Sequence, residues 1–377
     1  MSDTHLDEVQ RRGDGRNVDP EAGSLLGEGA LQRVRTLDDP HPSVPVVSEQ
    51  PAGSEEPTPT YYGLPVVKEP AWVWSIPLYF YVGGLAGSAS LLGVAADLCG
   101  RGRLEGLARR CHWVGAVGDA VSGVLLIHDL GRPERFLNML RVFRPKSPMS
   151  LGSWILAGSG AANSAAVLLA HQRGPLKHLG RGASFLGGLL GMPLVGYTAV
   201  LLCNSSIPIW QQTYRTLPLL FMSSAAASCG AFLEPFSQDS TERRVLRTFR
   251  LGGTAATLGA ACAVWWEASR SARVARPLKE GVSGALWKTS LVCTAAGLAL
   301  SLGSERARWK TVAASVLTTA GALAMRFAFF HAGKVSARDP QATFQSQRAG
   351  LGAAEVGPAS QVPRDSRPER FPLPVVR

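Results

Sequence analysis

Between Trp72 and His331 the chain is so apolar that each ionisable or hydrogen-bonding side chain marks a place where chemistry could be done. Asp119 lies midway along the apolar stretch from Cys111 to Asp129. A lone carboxylate there is costly and calls for a partner or a function. Two readings stay open for it: a proton relay or polar contact between helices, and a hydrogen-bonded structural aspartate. His112 precedes it by seven residues, a spacing that can put both on one helix face. His128, Asp129 and Arg132 close the same stretch. An imidazole and a carboxylate at a membrane edge can exchange protons. Arg132 could hold Asp129 ionised or meet a partner protein. Tyr79, Trp154, Tyr197 and Asn204 sit near the ends of other apolar stretches. Their hydroxyl, indole and amide groups can hydrogen-bond a ligand's carbonyl oxygen.

The elements that must position these groups are apolar runs of about 20 residues, long enough to cross a bilayer as helices. They fall at 72–98, 111–129, 150–171, 184–204, 214–236, 248–269, 283–303 and 309–331. The expected fold is therefore all-α and polytopic, with eight transmembrane helices. An even count puts both termini on one side, here named the first face. Odd spans start on that face and even spans end there. Tyr79, His128, Asp129, Arg132, Trp154, Asn204, Trp210 and His331 then gather at one depth on the first face, with Tyr197 about two turns deeper. A few polar contacts at the rim of an apolar slot suit an amphipathic headgroup. The same residues also fit an ordinary aromatic belt with snorkelling charges. Glu267 and Arg326, close to the ends of spans six and eight, read as snorkelling groups.

Small residues recur at helix-contact spacing: Gly83 with Gly87, Gly84 with Ser88, and Gly187 with Gly191. Such pairs let backbones approach closely and predict a compact bundle. Pro77, Pro193 and Pro218 lie within or near spans, where each removes a backbone donor.

The formal net charge is +11, yet residues 1–60 hold twelve Asp/Glu against five Arg. Residues 1–60 and 341–377 are expected to be disordered polar tails around a membrane domain at 61–340. Nucleic-acid binding is a poor reading, because the basic residues are divided between two membrane faces. The six cysteines, Cys99, Cys111, Cys203, Cys229, Cys262 and Cys293, form no C-x-x-C pair, which argues against an iron–sulfur cluster or metal in this chain. His112, His128, His171 and His331 all sit at span ends, which argues against a buried haem.

Four segments carry a family resemblance: YYGLPVVKEPAWVWSIPLYFYVGGLAGS, DLGRPERFLNMLRVFRPKSPMSLGSW, YTAVLLCNSSIPIW, and a final RFAFFHAG followed by DP. Over Tyr61 to Pro340 the chain resembles the NrfD/PsrC family, the quinone-reactive membrane subunits of polysulfide reductase and related molybdoenzyme complexes. The resemblance implies two four-helix halves, no haem, and a menaquinone or ubiquinone site on the first face. It also implies an iron–sulfur partner subunit, a catalytic molybdopterin-type subunit, and the bacterial cytoplasmic membrane. Some members hold the quinone with an Asn and a His near the start of the first helix. Those places look like Ile76 and Tyr79 here. The family's fourth-helix Tyr looks like Tyr197, and the acidic residue ending its second helix looks like Asp129.

The function expected is a membrane anchor exchanging electrons between the quinone pool and a partner cluster, not catalytic by itself. Tyr79, Tyr197, Asn204, Trp154 and Arg132 would form the quinone pocket, and Asp129, His128 and Asp119 would exchange protons. The basic loop with Arg135, Arg141, Arg144 and Lys146 would suit docking of the partner. Two alternatives stand beside this reading: a secondary transporter, and a passive anchor without a working quinone site. Basic residues in the loops are nearly balanced between the faces, so the positive-inside rule does not orient the chain.

Overall fold

The computed structural model describes residues 67–100, 102–131, 134–170, 172–302, 308–340 and 342–343, together with 18–19 and 24–25. The chain divides into two units, Met1–Gly63 and Leu64–Arg377. In the first, β1 (Val18–Asp19) pairs antiparallel with β2 (Ser24–Leu25). The rest of residues 1–60, and the C-terminal tail beyond Thr343, lie outside the described residues.

The described part of the second unit is helical. Its elements are α1 (Ser75–Cys99), α2 (Glu105–Asp129), α3 (Glu134–Arg141), α4 (Pro148–Leu169), α5 (Pro175–Cys203), α6 (Pro208–Gln212), α7 (Leu217–Leu233), α8 (Ser240–Ala268), α9 (Ala272–Lys279), α10 (Gly281–Leu302) and α11 (Arg308–Arg338). A 3₁₀ turn, Glu234–Phe236, extends α7. Six of these helices are long and apolar enough to cross a membrane: α1, α2, α5, α7 with its 3₁₀ turn, α10 and α11. α4 and α8 are as long but more polar. α4 carries Ser153, Ser159 and Asn163 on its buried face. α8 begins with Arg243, Arg244, Arg247 and Arg250 before its apolar part.

Local signals set the helix ends. Ser147 caps α4, accepting from the Ser150 backbone N–H, with Pro148 in the first turn. Asp239 and Glu242 form a capping box at the start of α8. Several helices outrun their apolar windows: α2 and α5 begin six and nine residues before the expected spans, and α11 runs seven residues past His331. The backbone ladder continues into the headgroup zone, where polar side chains are no obstacle.

α1 packs on α2 and α5, α2 on α4, and α4 on α5. α5 also packs on α7, α7 on α8 and α11, α8 on α10, and α10 on α11. α1 also touches α7 and α11. The expected small-residue seam is where α1 and α5 meet. A Cβ on Gly87 would lie 2.7 Å from the Gly191 carbonyl oxygen, and one on Gly191 equally close to that of Gly87. An aromatic series runs from α1 through α7 and α11 to α10, Phe80 to Phe221 to Phe329 to Trp287, with ring centroids 6.2, 6.4 and 5.5 Å apart. Leu168, Leu189 and Val292 point outward, as lipid-facing residues should. Pro193 is accommodated inside a continuous α5, and Pro218 sits in the first turn of α7.

The snorkelling expected of Glu267 and Arg326 is not found, because α8 and α11 bury both side chains. Glu267 accepts a hydrogen bond from Thr216 at 2.6 Å. Arg326 donates to the Phe221 carbonyl at 2.9 Å, with its guanidinium 3.8 Å over the Phe221 ring. A buried cation in an apolar bundle persists when a carbonyl and a ring face replace its hydration.

Candidate functional site

Residues 67–74 form a strap across the first face before α1 starts, and four contacts fix it. The Val73 N–H donates to Asp129 Oδ1 at the end of α2, at 2.9 Å. The Lys334 ammonium donates to the Trp72 carbonyl at 2.8 Å. Trp72 stacks on Trp210, with centroids 6.1 Å apart. Arg338 donates to both Glu69 carboxylate oxygens, at 2.7 and 3.0 Å, and this hydrogen bonding holds the Glu69 carboxyl below its usual range. Trp210 is itself fixed by an Nε1–H donated to the Phe329 carbonyl at 2.9 Å. The start of α1, the short helix α6 and the ends of α2 and α11 thus share one face.

One turn inside that face, the hydroxyls of Tyr79 on α1 and Tyr197 on α5 are hydrogen-bonded to each other. Tyr79 is 1% exposed. The Tyr197 ring lies directly over Gly152 of α4, where any side chain would collide with it. Buried hydroxyls of Ser75, Ser122 and Thr198 have no hydrogen-bond partner among the described residues. A Cβ placed on Gly83 would touch both the Tyr79 ring and Ser122 Oγ, so these two groups are neighbours. Buried donors that lack acceptors, beside two phenols, suit a ligand carbonyl oxygen. The residues present therefore fit a quinone headgroup, provided the phenol pair parts to admit it.

Asp119 lies deeper, at the meeting of α1, α2 and α4. Its Oδ2 accepts from Ser159 Oγ at 2.8 Å and from Asn163 Nδ2 at 2.9 Å. Asn163 Nδ2 also reaches Ser90 Oγ at 2.8 Å. Asp119 Oδ1 and Asn163 Oδ1 are buried without partners among the described residues. His112 does not meet Asp119. Its Nε2 is 3.0 Å from Asp97 and 2.9 Å from Ser184, at the second face.

The remaining expected site residues scatter. His128 is exposed and lies against the Trp74 ring, centroids 5.4 Å apart. Trp154 is 40% exposed and sits edge-on to Phe143, toward the loop after α3. Asn204 ends α5 at the surface. Arg132 lies outside the described residues. That loop frames a cavity of about 400 Å³ lined by Arg141, Arg144, Met149 and neighbours. Ser90, Ser159 and Asn163 were not singled out from the sequence. Asn163 alone gives a signal there, as an amide within an apolar span.

An all-helical unit whose long apolar helices turn leucines and valines outward and fold polar side chains inward is a multi-pass membrane protein. A polysulfide reductase family profile matches residues 58–338, and the chain belongs to that family, the NrfD type. Membership makes it a membrane subunit of a redox complex. No curated protein matches the chain.

Proposed function

We propose that this chain is the quinone-reactive membrane subunit of a multi-subunit oxidoreductase. It would span the bacterial cytoplasmic membrane with eight helices in two four-helix sets, both termini on one side. α4 and α8 complete the eight, their polar groups turned inward or placed at a membrane edge. The observation that carries the reading is the Tyr79–Tyr197 hydroxyl pair, set beneath a face where α1 and α2 are joined through Asp129.

A bound quinone supplies two-electron, two-proton chemistry that no side chain here can perform. Tyr79 and Tyr197 orient the ring by donating to a carbonyl oxygen. The Trp72–Trp210 stack and the strap keep water from that oxygen. Asp129, at the rim, passes protons between solvent and the phenols, with the exposed His128 beside it. Asp119 serves as an inner proton acceptor or as a structural anchor between α2 and α4. Electrons come from an iron–sulfur partner subunit docked over the basic loop at Arg141 and Arg144, and beyond it a molybdopterin-type catalytic subunit.

The test is titration of the purified complex with a fluorescent quinol analogue, followed by quinol turnover. One saturable site per chain, weakened in the Tyr79→Phe/Tyr197→Phe double variant, is expected. Absence of binding and turnover in an intact complex would leave a passive anchor. Solute uptake by the isolated chain in vesicles would favour a transporter.

A further inference from the structure

Arg326 of α11 is a cation buried inside the bundle, 1% exposed. Its Nη2 donates to the Phe221 carbonyl at 2.9 Å, its guanidinium lies over the Phe221 ring, and its Nη1 meets the Met325 sulfur at 3.5 Å. Its Nε is buried with no hydrogen-bond partner among the described residues. Among those residues no carboxylate pairs with it, and a phenol, Tyr81, lies within electrostatic reach. The undescribed residues 303–307 precede the start of α11, eighteen residues before Arg326 and about 27 Å away along the helix.

A carbonyl and a ring hold this cation in place without cancelling its charge. In a low-dielectric bundle such a charge acts over a longer distance than in water, and salt screens it little. It stands at the depth of the Tyr79–Tyr197 pair. Phe221 lies one turn into α7 as Tyr79 lies one turn into α1. The Tyr79, Phe80 and Phe221 rings follow one another with centroids 5.8 and 6.2 Å apart. Two adjacent glycines of α1 separate Arg326 from Tyr79. A Cβ on Gly84 would lie 3.6 Å from Arg326 Nη2, and one on Gly83 would lie 3.4 Å from the Tyr79 ring. Neighbouring Cα atoms are about 3.8 Å apart, so the guanidinium lies within about 14 Å of that ring.

We propose that Arg326 is the fixed positive charge of the quinone site and favours a negatively charged ring there over a neutral one. The inference rests on the quinone reading. Each electron arriving from the partner subunit brings one negative charge, which a proton later cancels, and the cation stabilises that charge in the interval. One unit charge at this distance, at an effective dielectric constant of about 20, is worth roughly fivefold in relative affinity. Asp119 and Asp129 carry the opposite sign, so the effect is read from substitutions of Arg326 that leave both in place.

The experiment titrates the full chain in detergent with two rings of one size, followed by quenching of tryptophan fluorescence. One is an alkylated 1,4-naphthoquinone, which is neutral. The other is its 2-hydroxy derivative, whose hydroxyl is ionised at neutral pH. Arg326→Gln keeps a donor for the Phe221 carbonyl and loses the charge. It should weaken the anionic ring roughly fivefold relative to the neutral one. Arg326→Lys keeps the charge and should keep the parent ratio. If Arg326→Gln fails to fold, Arg326→Met, which leaves no polar group to bury, carries the comparison. Equal weakening of both rings would make Arg326 a structural tie between α11 and α7 and overturn the proposal. A ratio in Arg326→Lys as low as in the uncharged variant would overturn it too. Binding of neither ring by the parent would overturn the quinone reading itself, and this inference with it.

Discussion

Asp129 Oδ1, the last residue of α2, accepts the backbone N–H of Val73 at 2.9 Å, two residues before α1 begins. The residues are 56 apart in sequence, and the bond closes α1 and α2 onto one another at the first face. It uses one carboxylate oxygen and leaves the second for other work.

Asp129→Asn keeps an acceptor oxygen for Val73, so the strap should hold and assembly should stay near that of the parent. What is lost is the titratable carboxylate. Turnover per assembled complex should fall more than quinone affinity does if Asp129 moves protons. Assembly and turnover measured on the same preparations decide it. Normal turnover in assembled Asp129→Asn complex rejects the proton-exchange role.

Tyr79→Phe removes one hydroxyl of a mutually bonded pair and keeps the ring. A single hydrogen bond is worth about 0.5–1.5 kcal/mol, so quinone affinity should fall by less than roughly tenfold. Tyr197→Phe should behave alike. In each single variant the remaining phenol has lost its partner, so the double variant should melt no lower than the worse single one. Thermal melts of all three, without quinone, check this. Additive destabilisation would show that the hydroxyls act apart.

The first-face grouping was legible in the sequence because depth along a helix follows from residue count. Tyr79, Asp129, Trp210 and Tyr197 fall at the first face or just beneath it on that reckoning alone. Which of them touch was not legible, since the rotation of each helix depends on packing. Gly152 under the Tyr197 ring and Gly333 against Trp210 set those rotations, and neither glycine is distinctive by itself. The polar interior around Asp119 was half visible. The carboxylate stood out, but serines such as Ser90 and Ser159 barely change local hydropathy. Glu267 and Arg326 misled because nearness to a span end does not fix which way a side chain turns, and packing in α8 and α11 turns both inward.

Gly87→Ala tests the seam between α1 and α5. The added methyl would lie 2.7 Å from the Gly191 carbonyl oxygen and 3.1 Å from Val195. Backbone must move, at a cost of about 1–3 kcal/mol. Gly252→Ala on α8 meets nothing within 4 Å and serves as the control; it should be neutral or slightly stabilising. Melting points of the two in one detergent give the comparison. Equal melting points would show that α1 and α5 are less tightly joined than this geometry requires.

Asp119 separates its two readings through a pair of substitutions. Its Oδ2 receives two donors, from Ser159 and Asn163. Asp119→Ala leaves the Ser159 hydroxyl buried without its acceptor, while Asn163 keeps Ser90 Oγ; a buried group left unsatisfied costs about 1–3 kcal/mol. Asp119→Asn still offers one carbonyl oxygen to the same donors, so it should melt well above the alanine variant and close to the parent. The asparagine cannot titrate. If Asp119 only ties α2 to α4, the Asn variant should turn over quinol as the parent does while the Ala variant loses stability. If it relays protons, both variants should slow, and the Asn variant should slow without melting lower. Turnover and melting temperature of the two substitutions, measured on one preparation each, therefore assign the residue whichever way they fall, and a parent-like rate in the Asn variant removes Asp119 from the proton path.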